Sequence, residues 1–83
     1  MNEPKIHELK IKYRHFDHVS NGNKPFEIRY NDRDFKLGDV LWLRETQHCS
    51  NPGYTGQSQS VRVTYITSYE QKDGYVVMGI ALI

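Results

Sequence analysis

The chain is poor in the features that staple or anchor a small protein. Its 83 residues include one cysteine, Cys49, so no disulfide can form within the chain, and a lone thiol suits a reducing compartment. No apolar run approaches the ~20 residues that span a bilayer. The stretch from Met1 to Lys5 has no apolar segment of the secretory type. These absences lead to the expectation of a cytoplasmic protein with no membrane partner. Neither sign of charge is in surplus: eleven basic residues face ten acidic ones, for a net charge of +1. Non-specific polyanion binders carry a basic excess or stripe, so any nucleic-acid site here has to be a local patch. His7, His15, His18, His48 and Cys49 lack the paired spacing of a zinc site. His15 and His18 read as solvent-facing positions on a helix, Cys49 as a thiol with no partner tied to it by pattern, and neither metal nor cofactor is expected. The chain shows no internal repeat and no long charge block.

What is present is a succession of short periodic runs, expected to form a single domain over 1–83. Such a domain buries only about 60–65% of its unfolded surface, and closing its sheet would remove the exposed strand edges. From Ile6 to Ile11, His7, Leu9 and Ile11 alternate with Ile6, Glu8 and Lys10, as along a strand. Tyr13, Phe16 and Val19 recur at helical spacing, without a good N-cap residue before them, and Asn21-Gly22-Asn23 supplies a stop. Lys24 to Asn31 reads as a second strand, with Phe26, Ile28 and Tyr30 on an apolar face and Glu27 and Arg29 on the other. Asn31 to Asp34 reads as an Asx-rich turn, after which Phe35 and Leu37 return to the core. Val40 to Glu45 is apolar on both faces, as in a central strand. The polar residues from Thr46 to Ser60, with Pro52-Gly53 and Gly56, read as a long mobile loop. Val61 to Tyr69 forms a fourth strand with Val61, Val63, Tyr65 and Thr67 on one side. Asp73-Gly74 marks a tight turn. The final run, Tyr75 to Ile83, is apolar enough to demand burial between neighbours. The fold expected from these runs is α+β: a small mixed β-barrel of about five strands, with one short helix after the first.

The most informative stretch runs from Lys24 to Asp39. Glu27 and Arg29 share a strand face, roughly 7 Å apart, and Lys24 stands where the helix ends. These three read either as a polar pocket, with two cations for an anion and a carboxylate for a donor or for acid–base work, or as a same-face salt network. Asn31 and Arg33 are candidates for the rim, Arg33 otherwise pairing with Asp34 or Asp39. Tyr54 is the best candidate for an exposed stacking ring. Trp42 and Tyr65 read as core, and Arg44, Arg62 and Lys72 either as an extended basic rim or as isolated solvating cations.

Lys24-x-x-Glu27-x-Arg29, between Gly22 and Gly38-Asp39-Val40-Leu41, resembles the signature of ASCH domains, small barrels of the PUA-like group. The likeness is greatest to short phage and bacterial ASCH-like proteins. It runs from His7-Glu8-Leu9-Lys10 through Phe26-Glu27-Ile28-Arg29 and Asn31-Asp32-Arg33-Asp34-Phe35 to Asp73-Gly74-Tyr75-Val76-Val77, nearly the whole chain. It implies a PUA-like barrel that binds RNA or a nucleotide-like small molecule in a cleft lined by Lys24, Glu27 and Arg29. Acetylcytidine amidohydrolases of the same group use a lysine, a threonine nucleophile three residues on, and a later glutamate. Here the lysine corresponds to Lys24, the nucleophile position holds Glu27, and Glu70 is the one acidic candidate for the third role. A carboxylate replaces a hydroxyl nucleophile poorly. Ligand binding without catalysis is therefore the expectation, with nucleoside hydrolysis and a protein-interaction accessory role as alternatives, and a monomer fits either.

Overall fold

The computed structural model describes residues 3–47 and 53–83. The first strand, β1 (Ile6–Lys12), buries His7, Leu9 and Ile11 in strict alternation. It runs directly into a helix, α1 (Tyr13–Ser20), which has no side-chain cap at Lys12. Phe16 and Val19 are its buried residues, while Tyr13 is 55% exposed. The helix closes at Asn21, whose N–H donates to the Asp17 carbonyl, and the Gly22 N–H donates to the Val19 carbonyl. Gly22 stands at φ 85°, a left-handed position that glycine takes without Cβ strain.

The remaining strands are β2 (Phe26–Tyr30), β3 (Val40–Thr46), β4 (Tyr54–Thr67) and β5 (Tyr75–Leu82). They form one mixed five-stranded sheet in the order β1-β3-β4-β5-β2. Only the β1–β3 pair is parallel, because α1 and β2 intervene and carry the chain across between them. The sheet curls into a half-barrel around Leu41, Leu43, Val61, Val63 and Met78, all fully buried. As expected, β5 is paired on both sides. The fold is thus a small barrel-like α+β domain with one short helix.

Several expectations need correction. First, β2 is turned over. Glu27 is 2% exposed, while Phe26, Ile28 and Tyr30 are 40%, 50% and 55% exposed. The register explains it: Glu27 lies opposite buried Met78 and Arg29 opposite buried Val76, and cross-strand partners share a face. Second, the segment read as a loop is largely strand, since β4 begins at Tyr54. Its turn-like composition reflects an irregularity: pairing passes from Arg44↔Ser58 to Thr46↔Tyr54, and Gly56 sits in the excess at φ 94°. The expected mobility of residues 48–52, and the readings of His48 and Cys49, lie outside the described residues. Third, a bulge at Thr64 shifts the register between Val63 and Tyr65 and reverses the strand's phase. Tyr65 is therefore 63% exposed, and Ile66 packs against the core in its place. Trp42, on the outer face of β3, is also partly exposed, and Leu37 is exposed, although Phe35 is buried. Fourth, β1 and β2 lie at opposite ends of the strand order and are not paired with each other. A seam runs between these two edges, and it positions the site.

Candidate functional site

The seam is bridged by side chains where a closed barrel would have a backbone ladder. Arg29 Nη2 donates 3.0 Å to the Lys10 carbonyl, and Arg33 Nη1 donates 3.0 Å to the Glu8 carbonyl. Both carbonyls belong to the free edge of β1, so the guanidinium groups satisfy edge acceptors that a neighbouring strand would otherwise take.

Glu27 organises the inner side. Its Oε2 accepts from Lys24 Nζ at 2.8 Å, and its Oε1 accepts from Arg29 Nη2 at 2.7 Å and Nε at 3.1 Å. The two cations keep about a fifth to a quarter of their side-chain surface, 21% and 25%, while the carboxylate keeps 3%. A carboxylate so buried is stable only when paired and hydrogen-bonded. Here it also fixes the cations in place. Arg29 still presents Nη1, and Lys24 two of its three ammonium protons, with no protein acceptor among the described residues. Lys24 Nζ also lies 5.4 Å from the Phe26 ring centroid, within cation–π range.

These groups open on a cleft of about 420 Å³, also lined by Lys10, Lys12 and His15. The volume falls within the ~300–1,000 Å³ of small-molecule sites. Four cations face a single carboxylate there, so the cleft is strongly positive although the chain is almost neutral. His15 is half-buried. Partial burial, the Lys24 ammonium and the Arg14 guanidinium hold its imidazole below the usual histidine pKa, with Glu27 opposing and Lys12 adding to the effect. It is therefore neutral near pH 7, able both to accept and to donate a hydrogen bond.

A second hollow, of about 530 Å³, continues along the seam and shares Lys10 and Arg29 with the first, adding Glu8, Arg33 and Tyr54. Tyr54 is 44% exposed. The Arg44 guanidinium lies 3.8 Å from its ring centroid and is held by Glu8 Oε2 at 2.6 Å.

The structure brings Lys24, Glu27 and Arg29 together and sets Arg33 and Tyr54 around the adjoining hollow. Asn31 does not join them: its Oδ1 accepts the Phe35 N–H at 2.9 Å and so closes the turn. Arg33 pairs with neither Asp34 nor Asp39. Asp34 instead meets Lys36, and Asp39 meets His7. Arg62 donates to the Gly38 carbonyl, and Glu70 occupies an exposed turn at φ 59°. Lys10, Lys12 and His15 are cleft residues that the sequence reading missed. Alternation had placed Lys10 on the outer face of the first strand, but no local pattern shows that this strand is an edge beside the second. Among the described residues, no group of three or more His, Cys, Asp or Glu side chains could hold a metal ion, and no helix is long and apolar enough to cross a membrane.

The family model described as "Domain of unknown function (DUF3850)" matches residues 6–80. The "Uncharacterized 12.9 kDa protein in GpA 3'region" of Escherichia phage P2 is 38% identical over 63 residues, which cover 76% of this chain and 55% of the phage protein. The chain thus spans about half the length of that relative. With nearly all of its strands and its helix inside the family match, the chain belongs to the DUF3850 family.

Proposed function

We propose that this DUF3850 domain binds a nucleotide-like anion, free or as part of RNA, in the cleft between β1 and β2, and that its half-barrel is PUA-like and of the ASCH type. The observation that carries the proposal is the buried Glu27 carboxylate holding Lys24 and Arg29 with donors directed to a cationic cleft. Cations already oriented lose less entropy when a phosphate arrives. Glu27 Oε2 has a single protein donor among the described residues, which leaves it able to accept from a base amino group. Support for the PUA-like assignment comes from the strand–helix–strand order and from Lys24-x-x-Glu27-x-Arg29 at the seam. A nucleotide ligand and an unpaired cysteine both suit the cytoplasm, the compartment this proposal assigns.

Hydrolysis of a modified nucleoside has less support, because among the described residues those lining the cleft carry no hydroxyl or thiol nucleophile. A protein-interaction role draws on one observation: the exposed outer-face strip of Phe26, Ile28, Tyr30, Tyr65 and Tyr75. Such a strip is a candidate contact surface. Phe26 and Ile28 also line the cleft, so Tyr30→Ser with Tyr65→Ser is the pair that tests the strip separately.

Thermal shift with inorganic phosphate, nucleosides and nucleoside monophosphates tests the proposal. A ligand at a hundred times its Kd stabilises the native state by about 2.7 kcal/mol. Nucleotides should raise the melting temperature of the wild type, nucleosides should do so much less, and Lys24→Ala or Arg29→Ala should remove the difference. Equal responses to nucleosides and nucleotides, or no response to either, would reject an anion site.

A further inference from the structure

We infer that the ligand is a polymer: a single-stranded nucleic acid lying along the β1–β2 seam, with successive phosphates at the Lys24–Arg29 cleft and at Arg33, and one base stacked on Tyr54. This rests on the function proposed above and extends it.

The two hollows are continuous, since Lys10 and Arg29 line both. Arg29 and Arg33 are anchored on carbonyls two residues apart on the same strand edge, which spaces their anchors by about 6.6 Å. That is close to the separation of neighbouring phosphates in an extended single strand. Each guanidinium spends one N–H on the β1 carbonyl. Arg33 keeps its other N–H groups without a protein acceptor among the described residues. Along the two hollows stand five cations and two carboxylates. Of the carboxylates, Glu27 is buried in its ion pairs and Glu8 is paired with Arg44. Neither is left unpaired to repel a phosphate. A mononucleotide would use the first hollow and leave the Arg33 and Tyr54 subsite empty.

Tyr54 suits a stacked base. One ring face is covered by Arg44, itself fixed by Glu8, and the residue remains 44% exposed. A base stacked there has to be unstacked from its neighbours, which single strands allow and duplexes resist.

The experiment is fluorescence anisotropy with labelled oligouridylates of one, two, four and eight nucleotides, and with an eight-base-pair RNA duplex, at two salt concentrations. Affinity should rise at least tenfold from one nucleotide to four and then level off. The salt slope for the tetramer should correspond to two or three phosphates, about −1.4 to −2.1. Tyr54→Ala should lose roughly 5- to 150-fold for the tetramer and nothing for the mononucleotide, while Tyr54→Phe should bind as the wild type does. Arg33→Ala should flatten the length dependence and lower the slope by about 0.7. Each variant's fold is checked by circular dichroism, and Tyr54→Phe controls for loss of packing. Mononucleotide binding that is sensitive to Lys24→Ala but shows no gain with length would overturn the track and leave the cleft standing. Equal affinity for duplex and single strand would overturn the stacked base, and failure of every probe to bind would overturn both proposals.

Discussion

Glu27→Gln isolates the charge of the buried carboxylate, because the side chain keeps its shape and its carbonyl acceptor. In the native domain Glu27 accepts three charge-assisted hydrogen bonds from Lys24 and Arg29. Removing one partner of a fully buried ion pair costs about 3–5 kcal/mol. Two features reduce that figure here. Lys24 and Arg29 keep 21% and 25% of their side-chain exposure and can rehydrate, and the glutamine oxygen still accepts one bond. What remains is the repulsion of two facing cations and the misfit of an NH2 group directed at one of them, about 2 kcal/mol. A domain of this length has roughly 4–12 kcal/mol of stability in all, so the loss is a sizeable share of it. It should lower the melting temperature by about 8–16 °C. Urea unfolding followed by the fluorescence of Trp42, the single tryptophan, gives the free energy directly. In the double variant with Arg29→Ala the two losses should fall short of additivity, because both remove the same contact. An unchanged midpoint for Glu27→Gln, or strict additivity with Arg29→Ala, would refute a buried carboxylate that organises the seam.

Other consequences can be measured in the same way. Met78 is fully buried on the central face of β5, so Met78→Ala should cost about 2–5 kcal/mol by denaturant titration, whereas Val77→Ala on the outer face should cost much less. Asp39 is buried, which by itself raises its pKa, but the His7 side chain and the Lys5 and Lys36 N–H groups outweigh burial and hold its pKa below the usual aspartate value. Its contribution to stability is therefore present above about pH 4 and lost as the pH falls through the lower native value, and Asp39→Asn should remove that part of the acid limb in pH-dependent unfolding. His15 has a depressed pKa beside Lys24, Arg14 and Lys12, with Glu27 opposing, so a bound phosphodiester, by offsetting those cations, should draw its pKa upward. Binding then takes up a proton: affinity should rise a few-fold from pH 7.5 to 5.5, and His15→Ala should bind independently of pH in that range.

Much of the chain was legible from local pattern. Alternation marked β1, because a period of two requires only that a strand have two unlike faces, and continuous apolar runs marked β3 and β5 as strands buried between neighbours. Gly22 and the Phe16–Val19 spacing marked the end and the buried side of α1, since both act within one helical turn. Within the motif Lys24-x-x-Glu27-x-Arg29, Glu27 and Arg29 meet for the same reason: neighbours on one strand face meet whatever the rest of the fold does, and Lys24 reaches Glu27 from the segment just before the strand. The direction of that face was decided by tertiary structure. Hydrophobicity favoured Phe26, Ile28 and Tyr30 inside, but the place of β2 at the sheet edge, opposite β5, put Glu27 inward beside Met78. The inward carboxylate is tolerated because two cations, one of them from the segment before the strand, satisfy it. The bulge at Thr64 likewise reversed the exposure expected of Tyr65, since a one-residue slip moves all later side chains to the other face. The cleft as a whole could not be read from the sequence. Lys10, Lys12 and His15 come from β1 and α1, and they meet Lys24 and Arg29 only because the strand order β1-β3-β4-β5-β2 curls to bring its two edges face to face. Strand order is set by packing between residues distant in the chain, and no single stretch of sequence carries it.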